Sequence, residues 1–211
     1  MTQPDAPTRE LPSAEKSPEE KVLVIACGAL AREVQAVLDA NGLDHIALTC
    51  LPAQWHNRPE KIAEGVRAII NENRGRYGRF AVAYAECGTQ GALDRVCAEE
   101  DVIRIEGPHC YAFYSGTERF LAAGDADMDA FYLTDFLARQ FEAFVIEPLG
   151  LDRHPELRDA YFGHYRRLIY LAQSEDPDLD AKAEAAARRL GLAYEKRVTG
   201  MGDLPRFLAA I

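Results

Sequence analysis

Residues 22–28 read VLVIACG, a continuous apolar run that ends in a cysteine and a glycine. A short apolar run without alternation is typical of a strand buried on both faces of a parallel sheet. Residues 29–42 follow with apolar side chains at helical spacing and stop at Asn41-Gly42. A buried strand followed by such a helix is the opening unit of an open α/β sheet.

The same alternation of strand and helix continues as far as residue 107. The segments, in the order strand, helix, strand, helix, strand, are 45–51, 59–76, 79–87, 91–101 and 102–107. Strands joined by helices pair in parallel through right-handed crossovers. We therefore predict an α/β fold with an open, Rossmann-like, mostly parallel sheet flanked by helices.

After Gly116 the pattern becomes mostly helical, which predicts a helix-rich C-terminal half. Residues 132–150 and 178–191 carry apolar side chains at helical spacing, whereas 192–200 is predicted as a last edge strand. The run at 166–173, RRLIYLAQ, fits either a helix or a late strand, because it is too short for its period to decide.

The first 20 residues are rich in Pro, Ser and Glu and have no periodic apolar pattern. They are predicted to form a disordered arm over 1–20, and residues 21–211 to form a single α/β domain. No apolar run approaches the ~20 residues that a membrane-spanning helix needs, and no signal peptide is visible. We therefore expect a cytoplasmic protein without a membrane partner.

The net charge of the chain disfavours some classes of binding partner. Its 24 Lys and Arg against 34 Asp and Glu give a formal net charge of −10, which disfavours nucleic acid and anionic membrane surfaces. In a reducing compartment the five cysteines are seldom paired as disulfides. Each is then core filler, a reactive thiol or a metal ligand.

Three of the cysteines lie at, or a few residues beyond, the end of a predicted strand. They are Cys27, Cys87 and Cys110, the last within GPHCY at 107–111. The carboxyl ends of parallel strands meet at one edge of the sheet, where ligands of such folds bind. Three thiolates at one edge would suit Zn²⁺ or an iron–sulfur cluster, although none has the C-x-x-C spacing that makes a zinc site convincing.

Several neighbours are candidate members of the same site. His56 and His109 are candidates for a fourth metal ligand, with a solvent-facing or backbone-bonded histidine as the alternative. A set of small residues could let the backbone approach a cofactor or small ligand, or hold an anion at a helix start: Gly28, Gly88, Thr89 and Gly107.

Three further residues near these motifs have structural roles as alternatives or as predictions: Glu86, Cys97 and Cys50. Glu86 either orients a ligand or caps the following helix. Cys97, in the middle of a helical pattern, is predicted to be structural, and Cys50 is ambiguous. The chain has no GxxxxGK[ST], GxGxxG, GxSxG or HExxH motif, so nucleotide hydrolysis, dinucleotide binding and serine hydrolysis are disfavoured.

Six ordered motifs resemble the family called domain of unknown function 1638, from about residue 21 to the C-terminus. They are ACGAL (26–30), LPAQWHNRPEKI (51–62), YAECGTQGALD (84–94), GPHCYAFYSG (107–116), FYLTDFLARQF (131–141) and LGLDRHPELRDAYFGHYRRLIYLAQ (149–173). The family's cysteine motifs match Cys27, Cys87 and Cys110, and its histidine motif matches His56. Here Ala85 and Glu86 depart from the family's usual YGDCG. The resemblance implies an association with corrinoid proteins and their methyltransferases.

These observations leave three functions open. The first is a metal-binding protein or enzyme that holds Zn²⁺, or alternatively a [4Fe–4S] cluster, on the three cysteines. The second is a docking or binding module for a corrinoid protein or methyltransferase, without chemistry of its own. The third is a thiol-based redox enzyme, in which one cysteine has a lowered pKa.

Overall fold

The computed structural model describes residues 8–10 and 17–211. The described residues form two compact units, the first made of those up to Phe113 together with Asp203–Ile211 and the second of Tyr114–Gly202. The predicted arm over 1–20 lies partly outside the described residues. Within it, Arg9 forms a backbone bridge to Leu48 and Pro18–Glu20 forms a turn of 3-10 helix. The division into arm and single domain stays a prediction.

In the described part of the chain the regular elements alternate along much of the sequence. The strands are β1 Val22–Cys27, β2 Ile46–Leu51, β3 Arg79–Ala83, β4 Ile103–Arg104, β5 Ala130–Thr134, β6 Arg167–Ala172 and β7 Ala193–Val198. The α-helices are α1 Ala31–Ala40, α2 Ile62–Asn73, α3 Ala92–Glu99, α4 Cys110–Ser115, α5 Thr117–Ala123, α6 Asp135–Arg139, α7 Arg158–Phe162, α8 Pro177–Leu190 and α9 Leu204–Ala209.

The first unit contains a four-stranded parallel sheet in the order β2-β1-β3-β4. One face of the sheet packs against α2 and α3 through a buried cluster that includes Ile25, Val66 and Leu93. Val24 and Ala26, which alternate with these positions along β1, are buried as well. β1 is therefore buried on both faces, as its unbroken apolar run predicts.

The strand order of this sheet contains a switch point. The chain moves from β1 to β2 on one side and reaches β3 and β4 on the other side. In open α/β sheets, ligands bind at the carboxyl end of the two strands between which the direction reverses. Here those strands are β1 and β3.

The second unit contains a three-stranded parallel sheet in the order β5-β6-β7. β6 is the central strand, and Leu168, Tyr170 and Ala172 join a core with α6 and α8. Asp176 caps α8 by accepting hydrogen bonds from the amides of Asp178 and Leu179 at 2.9 and 3.3 Å.

The predicted α/β, Rossmann-like class is confirmed, with two parallel sheets in place of one. The run at 166–173 is a strand, β6, and 192–200 contains the edge strand β7, as predicted. The helical interpretation of 132–150 is wrong at its start, because Ala130–Thr134 is strand β5 and α6 begins directly at Asp135. Thr134 caps that helix, since its side chain accepts a hydrogen bond from the amide of Leu137.

Candidate functional site at the thiol edge of the first sheet

Three cysteines lie at the carboxyl edge of the first sheet, and we call them the thiol edge: Cys27, Cys87 and Cys110. Cys27 is the last residue of β1, and Cys87 follows the end of β3 by four residues. Cys110 opens α4, six residues after β4. All three are half-buried, so their side chains are neither deep in the core nor fully in solvent. They lie around the switch point between β1 and β3.

Backbone hydrogen bonds fix Cys87 beside the segment that leads to Cys110. The amide of Glu86 donates to the carbonyl of Gly107 at 2.9 Å, and the amide of Cys87 donates to the carbonyl of Pro108 at 2.8 Å. Cys87 has φ +49°, in the left-handed region that a non-glycine residue rarely adopts. Such strain is sustained only where the surroundings impose it, and it is frequent at functional sites.

The carboxylate of Glu86 holds the loop that presents Cys87. It accepts hydrogen bonds from the amide of Gly88 at 2.8 Å, the hydroxyl of Thr89 at 2.9 Å and the amide of Gly91 at 3.1 Å. Burial opposes ionisation of Glu86, but these hydrogen bonds outweigh it and lower the pKa of the carboxyl. Glu86 therefore organises its own loop.

Ionisation of one thiol at the thiol edge opposes ionisation of the others. Burial, and then the charge of Cys27, raises the pKa of Cys87 to about 12. Burial, and then the charges of Cys87 and Cys27, raises the pKa of Cys110 well above its usual value. A charge affects a pKa in this way only when the groups are near one another. The structure thus brings together three sulfurs that are 60 and 23 positions apart in the sequence.

Tyr84 is a member of the site that the sequence did not single out. β1 and β3 pair in the register Ala26↔Ala83, so the next positions along are Cys27 and Tyr84. Tyr84 is 2% exposed. The pKa of Tyr84 is raised by burial first, then by the charge of Cys27, and also by the charge of Cys87. The signal that could have found Tyr84 is its place one residue beyond β3, beside the last residue of β1.

A loop anchored on α2 carries His56. The ring of Trp55 fills the space left by Gly65, where an added Cβ would come within 2.4 Å of Trp55 Cζ3. His56 is exposed at its surface, yet enough protein surrounds the imidazole to lower its pKa. Burial, and to a smaller extent the charge of His56, lowers the pKa of His109. The two histidines are therefore near each other, next to the thiol edge.

The other candidate residues have structural placements of their own. Gly28 begins a turn of 3-10 helix after β1, and Gly88 and Gly107 have φ of +79° and +121°. Thr89 is buried and donates to Glu86, three residues before α3 begins.

Of the two remaining cysteines, Cys97 lies away from the thiol edge, whereas burial, and then the charge of the nearby Cys27, raises the pKa of Cys50 to about 12. Cys97 is buried in the core on α3, as predicted for a structural cysteine. Cys50 pairs in register with Ala26, so it lies on the sheet face opposite to Cys27.

The donor atoms at the thiol edge are of the kind that soft metals prefer, but their arrangement is not that of a formed site. Within residues 8–10 and 17–211, no group of three or more His, Cys, Asp or Glu side chains has the arrangement of a metal site. A cavity of about 520 Å³ lies at the opposite, amino edge of the sheet, where Val22, Arg79 and Ile103 begin their strands. That edge is not the one at which parallel sheets bind ligands.

A family model described as "Protein of unknown function (DUF1638)" matches residues 50–208. This chain belongs to that family. The match covers Cys87, Cys110, His56 and His109, and it confirms the resemblance drawn from the motifs. Cys27 and the motif at 26–30 lie before the matched segment. Neither a curated protein nor a solved structure matches the chain.

The family assignment gives no biochemical role, so the geometry of the thiol edge has to carry the functional interpretation. One further finding bears on partners: none of the helices in the described ranges combines the length and the apolar character needed to cross a bilayer.

Proposed function

We propose that this protein binds a soft metal ion through the thiolates of Cys27, Cys87 and Cys110, with His56 or His109 as a fourth ligand. The observation that carries the proposal is the placement of the three cysteines around the β1/β3 switch point: Cys27 ends β1, Cys110 opens α4, and the amide of Cys87 is bonded to the carbonyl of Pro108, two residues before Cys110. That edge of a parallel sheet is where α/β folds bind their ligands.

Without a bound cation the thiols of the thiol edge stay protonated at neutral pH, since their pKa values are raised. In a partly buried pocket the neutral thiol is favoured, because burial and neighbouring thiolates both oppose ionisation. A bound cation reverses this preference and displaces the protons. Rotation about the Cα–Cβ bonds between staggered wells would then turn the sulfurs toward the ion.

Zinc is the favoured ion because two imidazoles lie beside the thiols, and a [4Fe–4S] cluster on three cysteines is the alternative. If the three cysteines alone held the zinc, the fourth position would be open for a substrate thiol, which the ion would keep deprotonated; that is the activation that methyl transfer to or from sulfur needs. A corrinoid protein or a methyltransferase is the partner that this chemistry suggests. In that role the cysteines of this chain would hold the ion, and the loop held by Glu86 would fix the position of Cys87.

A thiol redox enzyme is the weaker candidate. A nucleophilic cysteine needs a lowered pKa, usually from a cation or a helix N-terminus. Here Cys87 has a pKa of about 12 and Cys110 a pKa well above normal. Thiols of this kind are poor nucleophiles near neutral pH and good candidates for ligands that deprotonate on metal binding.

The colour and metal content of anaerobically purified protein test the identity of the ion. We expect a colourless protein with one zinc per chain. A brown preparation that contains iron and sulfide would identify the bound group as an iron–sulfur cluster and not zinc. Protein that contains neither and does not take up zinc from a buffered solution would contradict the metal proposal.

A further inference from the structure

β2, one of the two edge strands of the first sheet, is paired on its outer side by a short N-terminal segment. β2 lies at the edge of the order β2-β1-β3-β4, with β1 on one side only. On the other side Arg9 forms an antiparallel bridge with Leu48. The amide of Arg9 donates to the carbonyl of Leu48 at 2.9 Å, and the amide of Leu48 donates to the carbonyl of Arg9 at 3.0 Å.

The side chain of Arg9 fixes this pairing in one register. Its Nη1 donates to Asp39 at 2.7 Å and its Nη2 donates to Asp44 at 3.0 Å. Asp39 lies near the end of α1 and Asp44 lies just before β2. The two carboxylates therefore come from the two ends of the connection that leads from α1 into β2. The side chain of Arg9 is only 13% exposed, which is unusual for a surface arginine.

We propose that the outer edge of β2 is a strand-addition surface, and that its occupant is the chain's own segment 8–10, in which Arg9 is recognised by the Asp39 and Asp44 carboxylates. An open edge offers unpaired amides and carbonyls to any extended chain. The sequence of β2, IALTCL, has the β-forming character that makes an open edge prone to association. A segment that pairs in cis removes that hazard.

The chemistry of recognition favours arginine at this position. The planar guanidinium presents two N–H groups that can reach two separate carboxylates, whereas a lysine ammonium is a single point charge. An extended segment with an arginine opposite Leu48 is therefore the ligand that this edge selects.

Native-state amide hydrogen exchange on the full chain tests the proposal, because the Leu48 amide is bonded to the Arg9 carbonyl. We expect Arg9→Ala to speed exchange of that amide about tenfold or more, since the ion pairs that hold the segment are lost. Arg9→Lys should give an intermediate rate. The matched control is Arg32→Ala, which removes an exposed arginine from α1 and should leave the Leu48 rate unchanged.

Two results would overturn the proposal. One is equal exchange of the Leu48 amide in wild type, Arg9→Ala and Arg32→Ala, which would mean that the segment does not protect the edge. The other is protection of Leu48 in the wild type that rises with protein concentration, which would make a second copy the occupant. Protection that is independent of concentration and lost in Arg9→Ala supports pairing in cis.

Discussion

The amide of Cys87 donates a 2.8 Å hydrogen bond to the carbonyl of Pro108. This contact ties the loop that follows β3 to the loop that follows β4, and so sets Cys87 beside the start of α4, where Cys110 lies. Cys87 reaches this position with φ +49°. The placement of Cys87 beside Cys110 therefore depends on a backbone conformation that a non-glycine residue rarely adopts.

The strain at Cys87 leads to the first prediction. In metal-free protein, Cys87→Gly should be more stable than Cys87→Ala by about 1 kcal/mol, because glycine adopts a left-handed φ without steric cost. Urea denaturation of the two variants measures the difference. Equal stability, or a more stable alanine variant, would show that the left-handed conformation at Cys87 is not strained.

The loop that presents Cys87 should depend on Glu86. Glu86→Gln replaces a carboxylate that accepts three hydrogen bonds, and should lower the free energy of unfolding at pH 7 by about 1–3 kcal/mol. The pKa of Glu86 is lowered in the folded state, so its contribution is present above the ordinary value of 4.5 and is lost as the pH falls through the folded pKa.

The difference between wild type and Glu86→Gln should therefore shrink below pH 4.5. The exposed Glu106→Gln in the same unit is the matched control, and should change stability little at any pH. A difference at Glu86 that stayed constant down to strongly acidic pH would mean that the hydrogen bonds do not require the ionised carboxylate.

Trp55 packs against α2 at Gly65, so the effect of replacing Gly65 on the free energy of unfolding should depend on whether Trp55 is present. Gly65→Ala places a methyl group 2.4 Å from Trp55 Cζ3, and should destabilise the wild type by about 1–3 kcal/mol despite the better helix propensity of alanine. In a Trp55→Ala background the same change should stabilise by up to about 1 kcal/mol once the end of the flexible Leu51 side chain, whose Cδ2 lies 3.0 Å from the same position, shifts aside. Denaturant titration of the four proteins in this cycle gives the coupling.

Trp55 is the single tryptophan of the chain, so its fluorescence reports on the loop that carries His56. A Gly65→Ala variant should show a shifted emission spectrum as the ring is displaced. If the sign of the Gly65→Ala effect were the same with and without Trp55, the ring would not be what excludes a side chain at this position.

In the second unit, Asp127 should contribute to stability in a pH-dependent way. Hydrogen bonds from Arg197 first, and also from Tyr132 and Arg167, lower the pKa of Asp127 to about 2. A lowered pKa gives stability that is present above the unfolded value of 3.8 and is lost as the pH falls toward 2.

Asp127→Asn should therefore cost at most about 2 kcal/mol at neutral pH and almost nothing near pH 2. Thermal unfolding across this pH range measures the effect. Asp125→Asn, at an exposed position of the same loop, is the control and should shift the curve little. An Asp127→Asn deficit that persists at pH 2 would assign the effect to packing and not to charge.

Two kinds of feature could be predicted from the sequence: those set by the spacing of apolar residues and those set by the order of strands and helices along the chain. The apolar run at β1 and the helices after it are local patterns, and the meeting of Cys27, Cys87 and Cys110 follows from the rule that parallel strands end at one edge. β5 was missed because it runs directly into α6 without a glycine or proline between them. The Thr134 cap was the available signal for that boundary.

Other features depend on contacts between distant segments, which no local pattern encodes. The left-handed turn at Cys87 is imposed by residues 107 and 108, and the role of Glu86 follows from that turn. Gly65 looks like an ordinary interruption of a helix until Trp55 is placed against it. The bridge of Arg9 to Leu48 joins residues 39 positions apart, in a segment whose composition predicts disorder.

Metal analysis of anaerobically purified full-length protein, wild type beside Cys87→Ser and Cys97→Ser, tests the central claim most directly. Cys97 is the matched control, because it is a buried cysteine of the same unit that lies in the core and away from the thiol edge. We predict one metal equivalent in the wild type and in Cys97→Ser, and a loss of at least tenfold in metal affinity in Cys87→Ser. Equal metal content in all three folded proteins would contradict a site built on the thiol edge.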